Sequence, residues 1–159
     1  MELRTTDEGW VFEDMDPLIV ELLRNLPACA APDDDVARRR IFSTPSNGAD
    51  AEADRDWREN VEPEMSEIFK GHVEVVVADL AAIREKEGEE VFALNIPAEN
   101  ARAWIHTLNQ ARLALGARHS VTDEDTNGRR RHSGAKAFAL MQIDFYGMLL
   151  SMLLSRTEL

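Results

Sequence analysis

The sequence predicts a mainly α fold: a helical bundle of about four helices with a small antiparallel β-sheet. The chain has 159 residues, 44% hydrophobic and 30% charged, which is ordinary for one globular domain with a single core. Four stretches carry apolar residues at helical spacing. Only residues near 2–6, 10–13 and 91–96 have strand character, so we expect an N-terminal hairpin and one later strand to form the sheet.

The first elements follow from the N-terminal residues. Two short apolar segments flank a turn at residues 7–9, which predicts the hairpin. Asp16 then has the residue type of a helix N-cap, and Pro17 suits a first turn because it lacks an N–H group that would need a partner. Apolar residues at helical spacing follow, and we expect this helix to end at Pro27.

Residues 32–56 show no helical or strand periodicity. They contain three consecutive aspartates, three consecutive arginines and a polar stretch rich in turn-forming residues. Long segments without secondary structure inside a compact domain are either functional or disordered. We therefore predict a single domain over residues 1–159, with a mobile acidic and arginine-rich loop at about 32–56.

The second half of the chain predicts three more helices. One covers about 61–83, and Gly88 follows its charged end. The next begins near Pro97 and runs through Trp104, and residues 122–125 resemble a helix-capping sequence. The last helix spans about 135–156.

This last helix is apolar on almost every side. Its apolar members are Phe138, Leu140, Met141, Ile143, Phe145, Tyr146, Met148, Leu149, Leu150, Met152, Leu153 and Leu154. Gln142 and Asp144 near its middle disfavour a membrane span. A helix that is apolar all round is normally surrounded by protein, so we expect part of this surface to form a homodimer interface.

Charge and cysteine content limit the partners and the compartment. Eighteen basic against thirty acidic residues give a net charge of −12, which argues against nucleic-acid and membrane partners. The arginine runs at 38–40 and 129–131 each lie near an acidic run, which favours solvated charge compensation. Cys29 is the only cysteine, so no internal disulfide is possible, and the acidic N-terminal segment does not fit a signal peptide; we expect a cytoplasmic protein.

No motif in the sequence indicates catalysis or metal binding. The histidines lack the spacing of paired metal ligands. They are His72, His106, His119 and His132. A glycine-rich phosphate loop and a nucleophile motif with a matched base are also missing. We therefore predict no metal, no cofactor and no catalytic residue, and favour a non-enzymatic protein.

Arg112 is the most unusual residue of the helix that begins near Pro97. It projects from the middle of an apolar stripe that includes Trp104, with Asn109 one turn away on the same face. A charge in such a place is costly unless it is paired. The interpretation we prefer is a structural polar network in which Arg112 meets Gln142 or Asp144 of the last helix, since buried charges are normally paired internally.

The alternative interpretation of Arg112 is a ligand site. Asn109 and Arg112 would then bind a carboxylate or phosphate, with Arg118 and Asp123 or Glu124 nearby. Arg118 lies about 120° from Arg112 around a regular helix, which counts against one convergent pocket.

One spaced pattern supports a family resemblance. It consists of Trp104, Leu108, Asn109, Arg112, Leu113, Leu115, Gly116 and Arg118, followed by the acidic stretch 122–125. The pattern resembles an uncharacterised bacterial family catalogued as "domain of unknown function twenty-seventeen", and covers mainly residues 97–125. Ile105 stands where leucine is usual, and the pair 110–111 differs from the commoner acidic–apolar pair. The resemblance implies no activity, but members are often encoded beside the adaptor of the Clp protease, which implies a link to regulated proteolysis.

Two functions from different classes remain. The first is a regulatory or adaptor-type protein that acts by protein–protein contacts and forms a homodimer through its last helix. The second is a small anionic-ligand-binding protein or enzyme with a site around Asn109 and Arg112.

Overall fold

The computed structural model describes residues 1–128 and 131–155 and confirms the mainly α fold with a small antiparallel sheet. The strands are β1 (Glu2–Thr6), β2 (Gly9–Met15), β3 (Arg84–Glu85) and β4 (Phe92–Pro97). The helices are α1 (Pro17–Ala30), α2 (Asp35–Ile41), α3 (Ala51–Asn60), α4 (Glu62–Leu80), α5 (Ala101–Arg118), α6 (Asp123–Thr126) and α7 (Gly134–Leu154). The described residues hold seven helices where about four were expected, because α2, α3 and α6 lie outside the four long periodic stretches.

The sheet contains the predicted hairpin and the predicted later strand. Its order is β1-β2-β4-β3, and every neighbouring pair is antiparallel. Phe12, Leu94 and Ile96 point from the two central strands into the core and are almost fully buried. The unpredicted β3 is two exposed residues long, so it has no alternating pattern that could reveal it.

The hairpin turn depends on Gly9. Its φ of +143° lies in a region that side chains rarely allow. A Cβ atom built on Gly9 would lie 2.1 Å from the carbonyl oxygen of Ile96 in β4. Only glycine therefore lets β2 begin so close to β4.

Helix α1 begins as predicted but ends later. The Asp16 carboxylate accepts a hydrogen bond of 2.9 Å from the backbone N–H of Ile19, and Pro17 occupies the first turn. The expected end at Pro27 is wrong, because the helix continues to Ala30. A proline inside a helix removes one backbone hydrogen bond. Leu26 and Ala30 are fully buried on either side of it, and this packing holds the extra turn in place.

Residues 32–56, predicted as a loop, contain α2 and the first part of α3, which corrects that assignment. Two aspartates of this segment, Asp34 and Asp50, are helix caps. Asp34 accepts a hydrogen bond of 2.8 Å from the N–H of Ala37, and Asp50 accepts two of 3.1 Å from the first turn of α3. Short helices that depend on caps and tertiary contacts leave little periodicity in a sequence.

The turn between α2 and α3 is organised around a buried carboxylate. Asp54 is only 4% exposed and accepts hydrogen bonds from the hydroxyl and the N–H of Ser46 and from the N–H of Gly48, at 2.8, 3.0 and 2.7 Å. Burial opposes ionisation of Asp54, but these hydrogen bonds outweigh it and lower its pKa to about 2.

Helix α5 is the centre of the molecule. It packs against α7, α1, α4 and α2. Trp104, Leu108 and Ala111 from the predicted apolar stripe are fully buried. The Trp104 indole N–H donates to the Asp79 carboxylate of α4 at 2.8 Å, so the largest core side chain is also hydrogen-bonded.

Helix α7 agrees with its predicted span to within two residues at either end. Its buried side packs against α5 and reaches α1, where the Tyr146 hydroxyl donates to the carbonyl oxygen of Leu22 at 2.8 Å. By length and composition it could also cross a membrane, a test that core helices of globular proteins pass as well. In this fold α7 serves as a core helix.

Candidate functional site

Arg112 extends from α5 across the surface of α7. A Cβ atom built on Gly147 of α7 would lie 3.2 Å from the Nε atom and 3.4 Å from the Cζ atom of Arg112. The guanidinium therefore rests directly on the backbone of α7 at the one residue there without a side chain. A larger residue at position 147 would push it away.

The expected network of Arg112 with Gln142 and Asp144 is not formed. The Gln142 amide donates to the Cys29 Sγ atom at 3.4 Å, and Asp144 is exposed. Within residues 1–128 and 131–155, Arg112 has no hydrogen bond or ion pair, and its Nε atom is buried without a partner. Helical periodicity predicted that α7 packs beside Arg112, which is correct. It cannot predict how far two packed helices are shifted along each other, and this shift decides which residue of α7 faces Arg112.

A shallow groove of about 400 Å³ opens beside the Arg112 side chain. Asn109 and Gly116 of α5 line it together with Arg40 of α2 and Ser120, which follows α5. We call this cavity the Arg112 groove. A Cβ atom on Gly116 would meet nothing within 4 Å, so this wall is open. The structure thus brings Asn109 and Arg112 together, as the alternative interpretation requires.

Arg118 has a different role from the one considered for a ligand site. Its guanidinium donates to the carboxylates of Asp34 and Asp33 at 2.6 and 2.8 Å. It also donates to the carbonyl oxygens of Cys29 and Ala31 at 2.9 and 2.5 Å. The N–H of Ala37 and then the Arg118 guanidinium hold the pKa of Asp34 below its usual range. Arg118 is therefore a clamp between the end of α1 and the start of α2, outside the Arg112 groove.

Asp123 is also outside the Arg112 groove and lies exposed at the start of α6. The buried carboxylate of this region is Asp125, which accepts hydrogen bonds from the N–H and hydroxyl of Thr122 at 2.8 and 3.0 Å. It also contacts Lys136 at 3.0 Å and His132 at 2.6 Å. The Thr122 N–H and then the Lys136 ammonium hold the pKa of Asp125 well below its usual range. The predicted capping sequence therefore caps α6, and its buried Asp125 also connects this helix to His132 and Lys136.

The sequence did not indicate Arg40, which lines the groove, or Gly147, against which the Arg112 guanidinium packs. Arg40 belongs to an arginine run, and nothing in the run shows which of its members reaches α5. Gly147 lies in an apolar helix, where an isolated glycine has many explanations. Only the packing of α2, α5 and α7 gives these two residues their place.

A second surface feature is an exposed apolar row along α7, which we call the α7 stripe. It consists of Phe138, Met141, Phe145, Met148 and Met152. Phe138, Met141 and Met148 are 45%, 39% and 44% exposed, and the other two are partly buried. The buried residues lie on the adjacent face of α7, so this helix has two apolar faces and only one is fully covered.

Two histidines stack where α4 meets α5. The rings of His72 and His106 lie 4.7 Å apart and nearly parallel, and Phe69 stacks on both. Burial, and then the charges of His106 and Arg102, lower the pKa of His72. The described part of the chain holds no group of three or more side chains that could bind a metal ion.

The fold and its surface define a small, mainly helical domain with a cationic groove at Arg112 and an uncovered apolar face on α7. The family model described as Domain of unknown function (DUF2017) matches residues 3–157, so the chain belongs to this family. The match extends far beyond the motif at 97–125 and includes the hairpin and α7. No curated protein and no solved structure matches the chain.

Proposed function

We propose that this chain is a non-enzymatic regulatory protein that acts by protein–protein contacts and associates with a second copy of itself through the α7 stripe. The observation that carries the proposal is the stripe itself. Five large apolar side chains lie in one row on the outside of a 21-residue helix. Other exposed large apolar residues in the described part of the chain lie on or beside α1, α2 and α4 and at the end of α7, and they form no row of this length. They are Leu18, Val36, Val61, Ile68, Val77 and Leu154.

The spacing of the α7 stripe favours a helix as its partner. Its members are separated by alternating steps of three and four residues, which is the a/d pattern of a two-helix seam. The same pattern on two copies is self-complementary about a two-fold axis. Phenylalanine and methionine supply large contact areas, and methionine adapts its shape to a neighbour.

The charge of the molecule is consistent with this choice of surface. Each copy carries a net charge of −12, so two copies repel each other at long range. The α7 stripe contains no charged residue, and exposed Asp144 and Ser151 lie beside it as a polar rim. Two copies can therefore meet without burying like charges.

The test is sedimentation equilibrium over a dilution series. We expect the wild-type chain to show a concentration-dependent dimer and the double variant Met141→Glu/Met148→Glu to remain a monomer, because it would bury carboxylates in the seam. Ser151→Glu adds one such charge to an exposed position of α7, in the polar rim beside the stripe, and should leave the dimer intact because a rim carboxylate stays in water. A wild-type chain that stays monomeric at every concentration would remove the proposal.

The second partner we propose is the adaptor of the Clp protease, which would place the protein in the cytoplasm. The support is the family resemblance of residues 97–125 described above. Titration of the purified adaptor into this protein by isothermal calorimetry should give a saturable heat. A flat titration with both proteins folded would limit the proposal to self-association.

A further inference from the structure

We propose that the Arg112 groove binds a phosphate group, either free inorganic phosphate or the phosphoryl group of a small phosphate ester. This site is independent of the α7 stripe. A failure of the self-association proposal would therefore leave this one unaffected.

The first step is the charge of Arg112, which is not neutralised within the described part of the chain. Three other arginines there have acidic partners: Arg38 contacts Glu62 at 2.7 Å, Arg4 contacts Glu13 at 3.0 Å, and Arg118 contacts two aspartates. Arg112 has no such partner and is half-buried, so water screens its charge less than that of an exposed arginine such as Arg39. The Nε atom of Arg112 is buried against α7 without an acceptor, so an anion in the groove would bind the terminal nitrogens of the guanidinium.

The second step is the composition of the groove wall. Its lining residues come from α2, α5, α7 and the segment after α5, and none is an aspartate or glutamate. A neighbouring arginine-rich groove around Arg39 and Arg58 includes Glu62, which already neutralises Arg38. The Arg112 groove is therefore the better anion site of the two.

The third step is the number of donors. Arg40 and Arg112 supply two guanidinium groups, and Asn109 and Ser120 add an amide and a hydroxyl. A carboxylate has only two oxygens to accept hydrogen bonds, whereas phosphate has more and is tetrahedral. A groove lined by four donor side chains therefore suits phosphate better.

Gly147 is a positioning residue for this site. A Cβ atom there would lie 3.2 Å from the Nε atom of Arg112, so the side chain would have to shift by a few tenths of an ångström. Contact with the α7 backbone thus restricts where the Arg112 guanidinium can lie in the groove. The side chain therefore loses less conformational entropy when it binds a ligand.

The experiment is a titration of ¹⁵N-labelled full-length protein with inorganic phosphate, followed by amide chemical shifts at constant ionic strength. We expect saturable shifts at residues 109–120, and the same shifts with glycerol phosphate if the natural ligand is an ester. Acetate should act at least about tenfold more weakly, because it leaves donors without acceptors.

Variants locate the site. Arg40→Gln removes an exposed charge and should weaken phosphate binding by about tenfold or more without unfolding the chain. Gly147→Ala should displace Arg112 and weaken binding in the same direction. The matched control is Arg39→Gln, next to Arg40 in α2 but outside the groove, which should keep the affinity within about twofold.

Three results would overturn the inference. One is the absence of saturable shifts in the folded wild-type protein. The second is phosphate binding that survives Arg40→Gln and falls in Arg39→Gln, which would assign it to the other groove. The third is acetate binding as tightly as phosphate, which would reject the tetrahedral ligand.

Discussion

Individual side chains in this molecule connect elements that are far apart in the sequence. Arg118 at the end of α5 contacts both the last carbonyl groups of α1 and the acidic residues before α2. Carbonyl groups at the end of a helix need donors, and a guanidinium can serve several at once. One residue therefore fixes the position of three helices.

Replacing Arg118 tests this role. Arg118→Met should lower the free energy of unfolding by about 2–3 kcal/mol, since hydrogen bonds to charged groups are lost and helix-end carbonyls keep no partner. Urea unfolding followed by circular dichroism measures the change. Arg39→Met, at an exposed arginine of α2, is the control and should change stability by less than about 0.5 kcal/mol. Equal stability of the two variants would contradict the clamp.

The stacked histidines predict a pH dependence. The pKa of His72 is lowered in the folded state, so the folded chain takes up this proton less readily than the unfolded chain. Stability is unaffected well above the unfolded value of 6.5 and falls as pH decreases through 6.5 toward the folded value. Urea midpoints between pH 8 and about 5 measure this fall, and His72→Phe should reduce it.

The buried carboxylates act in a lower pH range. The pKa values of Asp54 and Asp125 are lowered, so their contribution is complete above the unfolded value of 3.8 and is lost only as pH falls below it. The pH dependence of stability that His72 causes can therefore be measured separately from the one that Asp54 and Asp125 cause. A His72→Phe variant with the wild-type slope above pH 5 would show that His72 is not the source of this pH dependence.

At the level of elements, the sequence predicted those with long periodic patterns. The hairpin, α4, α5 and α7 were assigned because their apolar residues recur at the period of the element. The failures were the end of α1 and the segment 32–56. There the structure depends on buried packing around Pro27 and on caps such as Asp34, and neither extends over enough residues to create a period.

The candidate site could be predicted only in part, for a related reason. Asn109 and Arg112 share one helix face, and a single helix is enough to bring them together. Arg40 and Gly147 come from other helices, so their place depends on how α2 and α7 pack against α5. The sequence of a single chain does not reveal how α2 and α7 are placed relative to α5.

Two glycines give a paired prediction for the elements. Gly9→Ala should destabilise the protein by at least about 2 kcal/mol, because its φ is positive and a Cβ atom would overlap β4. Gly71→Ala, in the middle of α4 with open space around its Cβ position, should stabilise by about 0.5–1 kcal/mol. Urea unfolding of both variants measures the two changes in the free energy of unfolding, which should have opposite signs. A destabilised Gly71→Ala would mean that α4 needs its flexibility there.

The whole molecule combines a strongly acidic charge with two local exceptions. The net charge of −12 is carried by a surface on which the Arg112 groove is cationic and the α7 stripe is uncharged. A ligand or partner that meets the chain is therefore selected by these two regions against a repulsive background.

This background predicts no general affinity for nucleic acid. A fluorescently labelled DNA duplex should keep its anisotropy when the protein is added at physiological salt, since phosphate backbones are repelled by most of the surface. A saturable increase that weakens as salt is raised would contradict this expectation. Inorganic phosphate is repelled less than a duplex, because it carries few charges and can contact the groove alone.

The buried position of Trp104, whose indole donates to Asp79, makes this residue a probe of folding. Trp104 is fully buried at the junction of α4 and α5, whereas Trp57 on α3 is only half-buried. A chain in which Trp10 and Trp57 are replaced by phenylalanine would emit from this one indole. Its emission maximum would move to longer wavelength when the central helix loses its neighbours, so a single fluorophore already present in the core reports the integrity of the fold.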